Sequence, residues 1–309
     1  MKLRVGARGS ALSQWQARHA VDRLRAVRPE IEIFQVEINS EGDRMPDLPL
    51  SHLEGTGFFT TALEEALLRG EIDVAVHSYK DLPVESSPNL TIAAVLPRGP
   101  VEDVLCARDG LTLDGLPRGA RVGTCSARRT AQVRLVRDDL NIVSLRGNVP
   151  TRVARVGTDV DAIVLARAGL VRLGLDSHIT ETFGMERMLP APAQGALAVQ
   201  CRADDERVRR WLADLNDETT ERCVSAERTM LHALGGGCSV PVGAVAIAVD
   251  ARIHLTGGVF GLRTRRAARV DEVGVDPVKV GEQAATRLAA SGASDILAEF
   301  ESALSGASL

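Results

Sequence analysis

The chain has 309 residues, 45% of them hydrophobic and 25% charged, with a formal net charge of −4; this is the balance of an ordinary soluble globular protein with room for two or three domains. Every apolar run is cut by Arg, Asp, Gly or Pro well short of the ~20 residues a bilayer span needs. No apolar signal core follows Met1, so no membrane span is expected and the chain is expected in the cytoplasm. Five scattered cysteines without a CxxC pair, and six scattered histidines, speak against a disulfide framework and a metal centre.

Lys2 to Ala7 alternates as a strand, and Ser10 then reads as the N-cap of a helix running from Ala11 to about Ala26. Ile31 to Ile38 has period two and predicts the next strand. Residues 39–57 form a polar loop closed by Gly55-Thr56-Gly57; it lacks the phosphate-loop pattern GxxxxGK[ST] and reads as a flap. A helix from about Phe58 to Arg69 ends at Gly70, and Asp73 to His77 reads as a buried strand. This β-α-β-α-β order predicts a parallel sheet flanked by helices. A second series follows, with strands at about 103–107, 120–123, 141–145 and 161–166 separated by helices around 127–137, 150–156 and 168–173. Crossings between the two lobes are expected at Leu96–Pro100 and Leu189–Gln194, both rich in Pro or Gly. A strand around Ala196–Gln200 then returns to the first lobe, giving a hinge geometry. After Asn216 come a helix to about Ala233, the run Gly235-Gly236-Gly237-Cys238, strands at 242–249, 251–258 and 266–270, and helices near 277–290 and 293–303. The domains expected are lobe 1 (1–97 and 195–215), lobe 2 (98–194) and a small C-terminal α/β domain (216–309).

In parallel sheets ligands bind beyond the carboxyl ends of strands, beside helix N-termini that favour anions. Arg8 and Ser10 fall there, as do Lys80 and Asp81, Thr124, Ser126, Arg128 and Arg129, Arg146 and Asn148, with Arg152 in the helix after them. Lysine occurs only at 2, 80 and 279, so nearly all of the 37 basic residues are arginine, the side chain suited to bidentate grip on carboxylates or phosphates. Between 121 and 155 the arginines outnumber the acids Asp138 and Asp139 by six. That local field marks either a polyanion site or a solvated helix face, to which Arg134 and Arg137 belong. Asp81 is an anion among these cations: a stabiliser of a cationic intermediate, or a turn residue. Cys238, uncrowded between three glycines and Ser239-Val240-Pro241, is a covalent attachment point or an inert thiol; Cys106 and Cys201, in apolar strands, read as packing.

Taken together, GARGSALSQWQA (6–17), INSEGD (38–43), DVAVHSYKDLP (73–83), VGTCSARR (122–129), SLRGNVPTR (144–152), LARAGLVRLGL (165–175), LPAPAQGALAVQCR (189–202) and GGGCSVPVG (235–243) resemble, in order and spacing, the porphobilinogen deaminase family, also called hydroxymethylbilane synthases. The resemblance implies three domains: two lobes like those of periplasmic binding proteins with a cleft between them, and a C-terminal domain carrying a covalent dipyrromethane cofactor. It implies that four porphobilinogen molecules are deaminated, joined head to tail and released by water as hydroxymethylbilane, in tetrapyrrole biosynthesis. By the same resemblance Asp81 matches the catalytic carboxylate and Cys238 the cofactor's thioether anchor. Arg8, Ser10, Lys80, Ser126, Arg128, Arg129, Arg146, Arg152 and Arg172 match positions that bind the carboxylates of cofactor and substrate. Three positions depart from the family pattern: Thr56 stands where many members have Lys, and Pro150 and Ala193 where Gly is common. Porphobilinogen is the expected partner of a monomer, with no nucleic acid and no membrane. The rival reading is a non-catalytic two-lobed binding protein for a carboxylate or phosphate; it leaves GGGCSVP without a purpose. With 3% aromatic residues, stacking platforms for nucleic acid are scarce.

Overall fold

The elements read from the N-terminal alternation form where expected and frame the first part of the molecule. They are β1 (Lys2–Ala7), α1 (Ala11–Val27), β2 (Glu32–Glu37), α2 (Thr61–Leu68), β3 (Val74–Ser78) and β4 (Leu90–Val95). The next segment contains β5 (Asp103–Ala107), β6 (Arg121–Gly123), α3 (Ala127–Val136), β7 (Asn141–Val143), α4 (Val149–Val153), β8 (Ala162–Ala166), α5 (Arg167–Leu173) and β9 (Glu181–Thr182). The chain continues through β10 (Leu197–Arg202), α6 (Glu206–Ala213), α7 (Glu218–Ala233), β11 (Val242–Val249), β12 (Arg252–Phe260), β13 (Ala267–Gly274), α8 (Pro277–Ala290) and α9 (Ala293–Ser305). This computed structural model describes residues 2–38, 60–85, 87–237 and 240–305. The loop with Thr56 and the thiol of Cys238 therefore lie outside the described residues. Among the described residues no helix is long and apolar enough to cross a membrane.

Two compact units emerge, one of residues 1–99 and 195–221, the other of 100–194 and 222–309. The first is built on a five-stranded sheet in the order β2-β1-β3-β10-β4. Ser10 caps α1 by accepting from the N–H of Ser13. The helix then lays Ala17, Ala20, Val21 and Leu24 into one cluster with Leu3 and Val5 of β1, Val74 and Val76 of β3, and Leu197 and Val199 of β10. Each of the larger aliphatic side chains so buried contributes about 1.5–3 kcal/mol. The second unit carries a five-stranded sheet in the order β7-β6-β8-β5-β9 and a three-stranded antiparallel sheet β11-β12-β13.

The three strands of the β-α-β-α-β order are parallel, as that order predicts, yet neither five-stranded sheet is wholly parallel. β1 runs parallel to β2 and β3, but β10 is antiparallel to both β3 and β4. In the second unit β6 is parallel to β7 and β8, while β5 is antiparallel to β8 and β9. In each sheet the exception is the strand that follows a Pro/Gly-rich crossing. β4, β9 and α6 escape the sequence reading. β4 (LTIAAV) lacks clear alternation and β9 has only two residues, and α6 depends on a capping Asp205 and two buried side chains, Val208 and Leu212.

The second unit also encloses a carboxylate. Glu227 on α7 is 0% exposed and accepts from the backbone N–H of Ala193 at 2.6 Å and of Ala246 on β11 at 2.7 Å. Ala193 takes a left-handed φ of 63°, a conformation glycine adopts without strain, and this bond helps hold it there. Glu227→Gln presents an NH2 to one of those two donors. Its expected effect is a loss of about 2–3 kcal/mol of stability, read as a lower urea midpoint at an unchanged slope; an unchanged midpoint would contradict it.

Candidate functional site

In the first unit the predicted residues gather at the carboxyl ends of β1 and β3. The turn Arg8-Gly9-Ser10 is cinched by its own hydrogen bonds: the N–H of Arg8 donates to Ser13 Oγ at 2.9 Å, and Gln14 Nε2 donates to the Arg8 carbonyl at 2.9 Å. Ser10 caps α1 beside it, so the positive end of a 17-residue helix and the Arg8 side chain share one corner. After β3 the chain makes a 3-10 turn over Tyr79–Asp81. The N–H of Tyr79 donates to the Ala196 carbonyl and Leu82 is buried, which fixes the turn and leaves Asp81 exposed. A cavity of about 90 Å³ is lined by Arg8, Ser10, Gln16, His77 and Asp81 among others. The structure thus brings together Arg8, Ser10 and Asp81, with Lys80 on the same turn as Asp81.

His77 is a member of this group that the sequence offers only as the end of a strand. It is buried, and burial first, with Arg8 adding and Gln200 opposing, lowers its pKa from 6.5 to about 4. The ring is therefore neutral around pH 7. A titratable side chain within the otherwise apolar run Val74-Ala75-Val76 was the signal available.

In the second unit Ser126 caps α3, accepting from the N–H of Arg129, and Asn148 caps α4, accepting from the N–H of Thr151 at 2.9 Å with Pro150 in the first turn. Pro there lacks only an N–H that has no helical partner, so this departure from Gly is accommodated. Arg146 follows β7 and is half-buried; its Nη2 is buried without a hydrogen-bond partner among the described residues. Arg152 donates from Nε to the Gly147 carbonyl at 2.7 Å. Burial lowers the pKa of Arg172, on α5, to about 10, a cation stripped of much of its water.

Arg128 and Arg129 have a different setting from the one expected. Both are buried on Asp103, itself 0% exposed: Arg128 Nη1 donates to Oδ2 at 2.6 Å, and Arg129 donates to Oδ1 from Nε at 3.0 Å and Nη2 at 2.8 Å. Further bonds run from Arg128 to the Leu189 carbonyl and from Arg129 to the Val164 carbonyl. One carboxylate faces two guanidinium groups, so the trio keeps one positive charge. The sequence reading missed Asp103, because Glu102-Asp103 at the head of β5 resembles any polar strand start.

Burial pushes the thiols of Cys106 and Cys201 up to about 11, so both are inert packing residues at neutral pH. Cys125 is half-buried and donates to the Leu145 carbonyl.

Two family models cover the chain: "Porphobilinogen deaminase, dipyromethane cofactor binding domain" over residues 3–210 and "Porphobilinogen deaminase, C-terminal domain" over 221–290. Among curated relatives, the porphobilinogen deaminase of Brevibacillus brevis is 44% identical over 300 residues, 96% of this chain and 97% of the relative. That of Mycobacterium bovis (strain BCG / Pasteur 1173P2) is 51% identical over 259 residues, 84% of this chain and 82% of the relative. Among solved structures the methionine binding protein MetQ aligns at a TM-score of 0.46 and 13% identity, covering 74% of this chain and 94% of that one; a likeness this distant adds nothing to the strand orders themselves.

Proposed function

The chain belongs to the porphobilinogen deaminase family, and on that premise we propose that Asp81 is its catalytic carboxylate, Cys238 the attachment point of its dipyrromethane, and the arginine clusters its grip on pyrrole carboxylates. Each pyrrole carries an acetate and a propionate, so the growing chain is a polyanion, and pairs of N–H donors on guanidinium planes match it. The observation that supports this most directly is Arg146 Nη2, a buried donor without a partner among the described residues. Such an atom costs about 1–3 kcal/mol until an acceptor reaches it, and a ligand carboxylate is one. The residues therefore fit the group: Arg146, Arg152, Arg172 and Ser126 would hold its acids in the second unit, and Arg8, Ser10 and Lys80 those met by the first. Arg128 and Arg129 act here as the Asp103 trio, attracting a carboxylate through its residual charge.

The dipyrromethane, bound through Cys238, supplies the pyrrole to which the first substrate is joined. When ammonia leaves porphobilinogen, the C–N electron pair departs with nitrogen and positive charge develops on the substrate pyrrole. Asp81, held at the end of β3, stabilises that charge, and its carboxylate can take up the proton released as the new carbon–carbon bond forms. The reading has the protein act as a cytoplasmic monomer. Incubation with porphobilinogen should release ammonia and hydroxymethylbilane from a protein whose intact mass exceeds that of its sequence by two linked pyrrole units; absence of both products would refute it.

Arg146→Leu and Arg128→Leu separate the two kinds of arginine. Arg146→Leu should leave the melting temperature within a few degrees of the parent and stall chain elongation, seen as an altered distribution of enzyme-bound intermediates by mass. Arg128→Leu leaves Asp103 half-compensated and should cost about 3–5 kcal/mol of stability, seen as a lower melting temperature. Unchanged elongation in the first, or unchanged melting in the second, would contradict the assignment.

A further inference from the structure

His77 has no part in the roles assigned so far, yet it lines the cavity of about 90 Å³ that Arg8, Ser10 and Asp81 share. It is 4% exposed. Among the described residues neither its buried Nε2 nor the buried Oε1 of Gln200 has a hydrogen-bond partner, though Gln200 stands near enough to act on the ring's titration. Ala198 is the cross-strand partner of His77, and Gln200 lies two residues along β10, so the two side chains are diagonal neighbours on one face of the sheet.

The far end of Gln200 fixes which way its amide faces. Gln200 Nε2 lies 2.9 Å from Glu64 Oε1 on α2, and a carboxylate only accepts, so the NH2 faces Glu64 and the oxygen faces away. That oxygen in turn only accepts, and an imidazole meeting it must bring an N–H. A neutral imidazole has one N–H, so its other nitrogen is left with a lone pair. The ring is neutral because burial disfavours its charge and Arg8 repels it. The charged groups around it are Arg8 after β1, Asp81 on the 3-10 turn and Glu64 on α2, the last acting through Gln200; α1 contributes the neutral Ser13 and Gln16. A lone pair repels a carboxylate and attracts an N–H.

We propose that His77 is a binding residue of the site: in the loaded protein its ring closes as the Nε2–H tautomer on the Gln200 oxygen that Glu64 orients, and its Nδ1 lone pair accepts a hydrogen bond from a pyrrole N–H of the bound chain, orienting that ring beside Asp81. The inference rests on the site reading given under Proposed function.

The test uses the dipyrromethane-loaded protein with ¹⁵N-labelled histidine. Ring nitrogen shifts should report a neutral Nε2–H tautomer for His77 throughout pH 5.5–8.5; an imidazolium at pH 7, or the Nδ1–H tautomer, would overturn the proposal without any activity measurement. In parallel, His77→Leu should lower kcat about 10-fold, the cost of one such hydrogen bond. His77→Asn, whose Oδ1 stands near the place of Nδ1, should recover most of that loss. Equal losses in the two variants, or none in either, would overturn it as well. Should the parent protein lack the added pyrrole mass, the site reading fails instead, and the two failures are told apart.

Discussion

Asp81→Asn is expected to lower turnover of porphobilinogen by about 10²–10⁴-fold while the protein keeps its fold and its covalent pyrroles. The substitution preserves shape and removes charge. The 3-10 turn that carries residue 81 is pinned by the bond from Tyr79 N–H to the Ala196 carbonyl and by buried Leu82, neither of which involves the carboxylate. What is lost is the fixed anion facing the positive charge that develops as ammonia departs. Steady-state turnover and intact mass on the same preparation make the check, and near-normal turnover in a pyrrole-loaded variant would remove Asp81 from its role.

Cys238→Ser is expected to abolish the added mass and, with it, all product formation. A thiol, partly ionised near neutral pH, is a far better nucleophile than a serine hydroxyl, so the thioether has no counterpart in the variant. Cys106 and Cys201 cannot take over, since burial has pushed both thiols up to about 11, and Cys223 is buried as well. Fully active protein with an unmodified Cys238 would refute the assignment.

Much of this was legible in the residues alone. Period-two alternation over Lys2–Ala7 and Ile31–Ile38, the Ser10 cap, and the returning strand around Ala196–Gln200 all fell out of local chemistry, because local sequence sets those features. What escaped depends on partners far along the chain. Arg128-Arg129 after a Ser cap looks the same whether the waiting carboxylate is a ligand's or that of Asp103, 25 and 26 residues upstream. The Glu64–Gln200 bond spans 136 residues, and no periodicity announces it. The antiparallel strands escape for a similar reason: an alternating order of strands and helices does not reveal that a later segment slots in from elsewhere.

The position of β10 has a consequence for biosynthesis. β4 is hydrogen-bonded in its sheet to β10, so when Val95 leaves the ribosome its partner strand is still about a hundred residues from being made. Until Leu197–Arg202 emerges, facing edges of β3 and β4 stand unpaired, the condition in which nascent chains associate wrongly or recruit chaperones. Residues 100–194, with their own sheet, can collapse during that wait. A chain released before Leu197 would contain most of the cation-bearing positions and still lack the strand that joins β3 to β4.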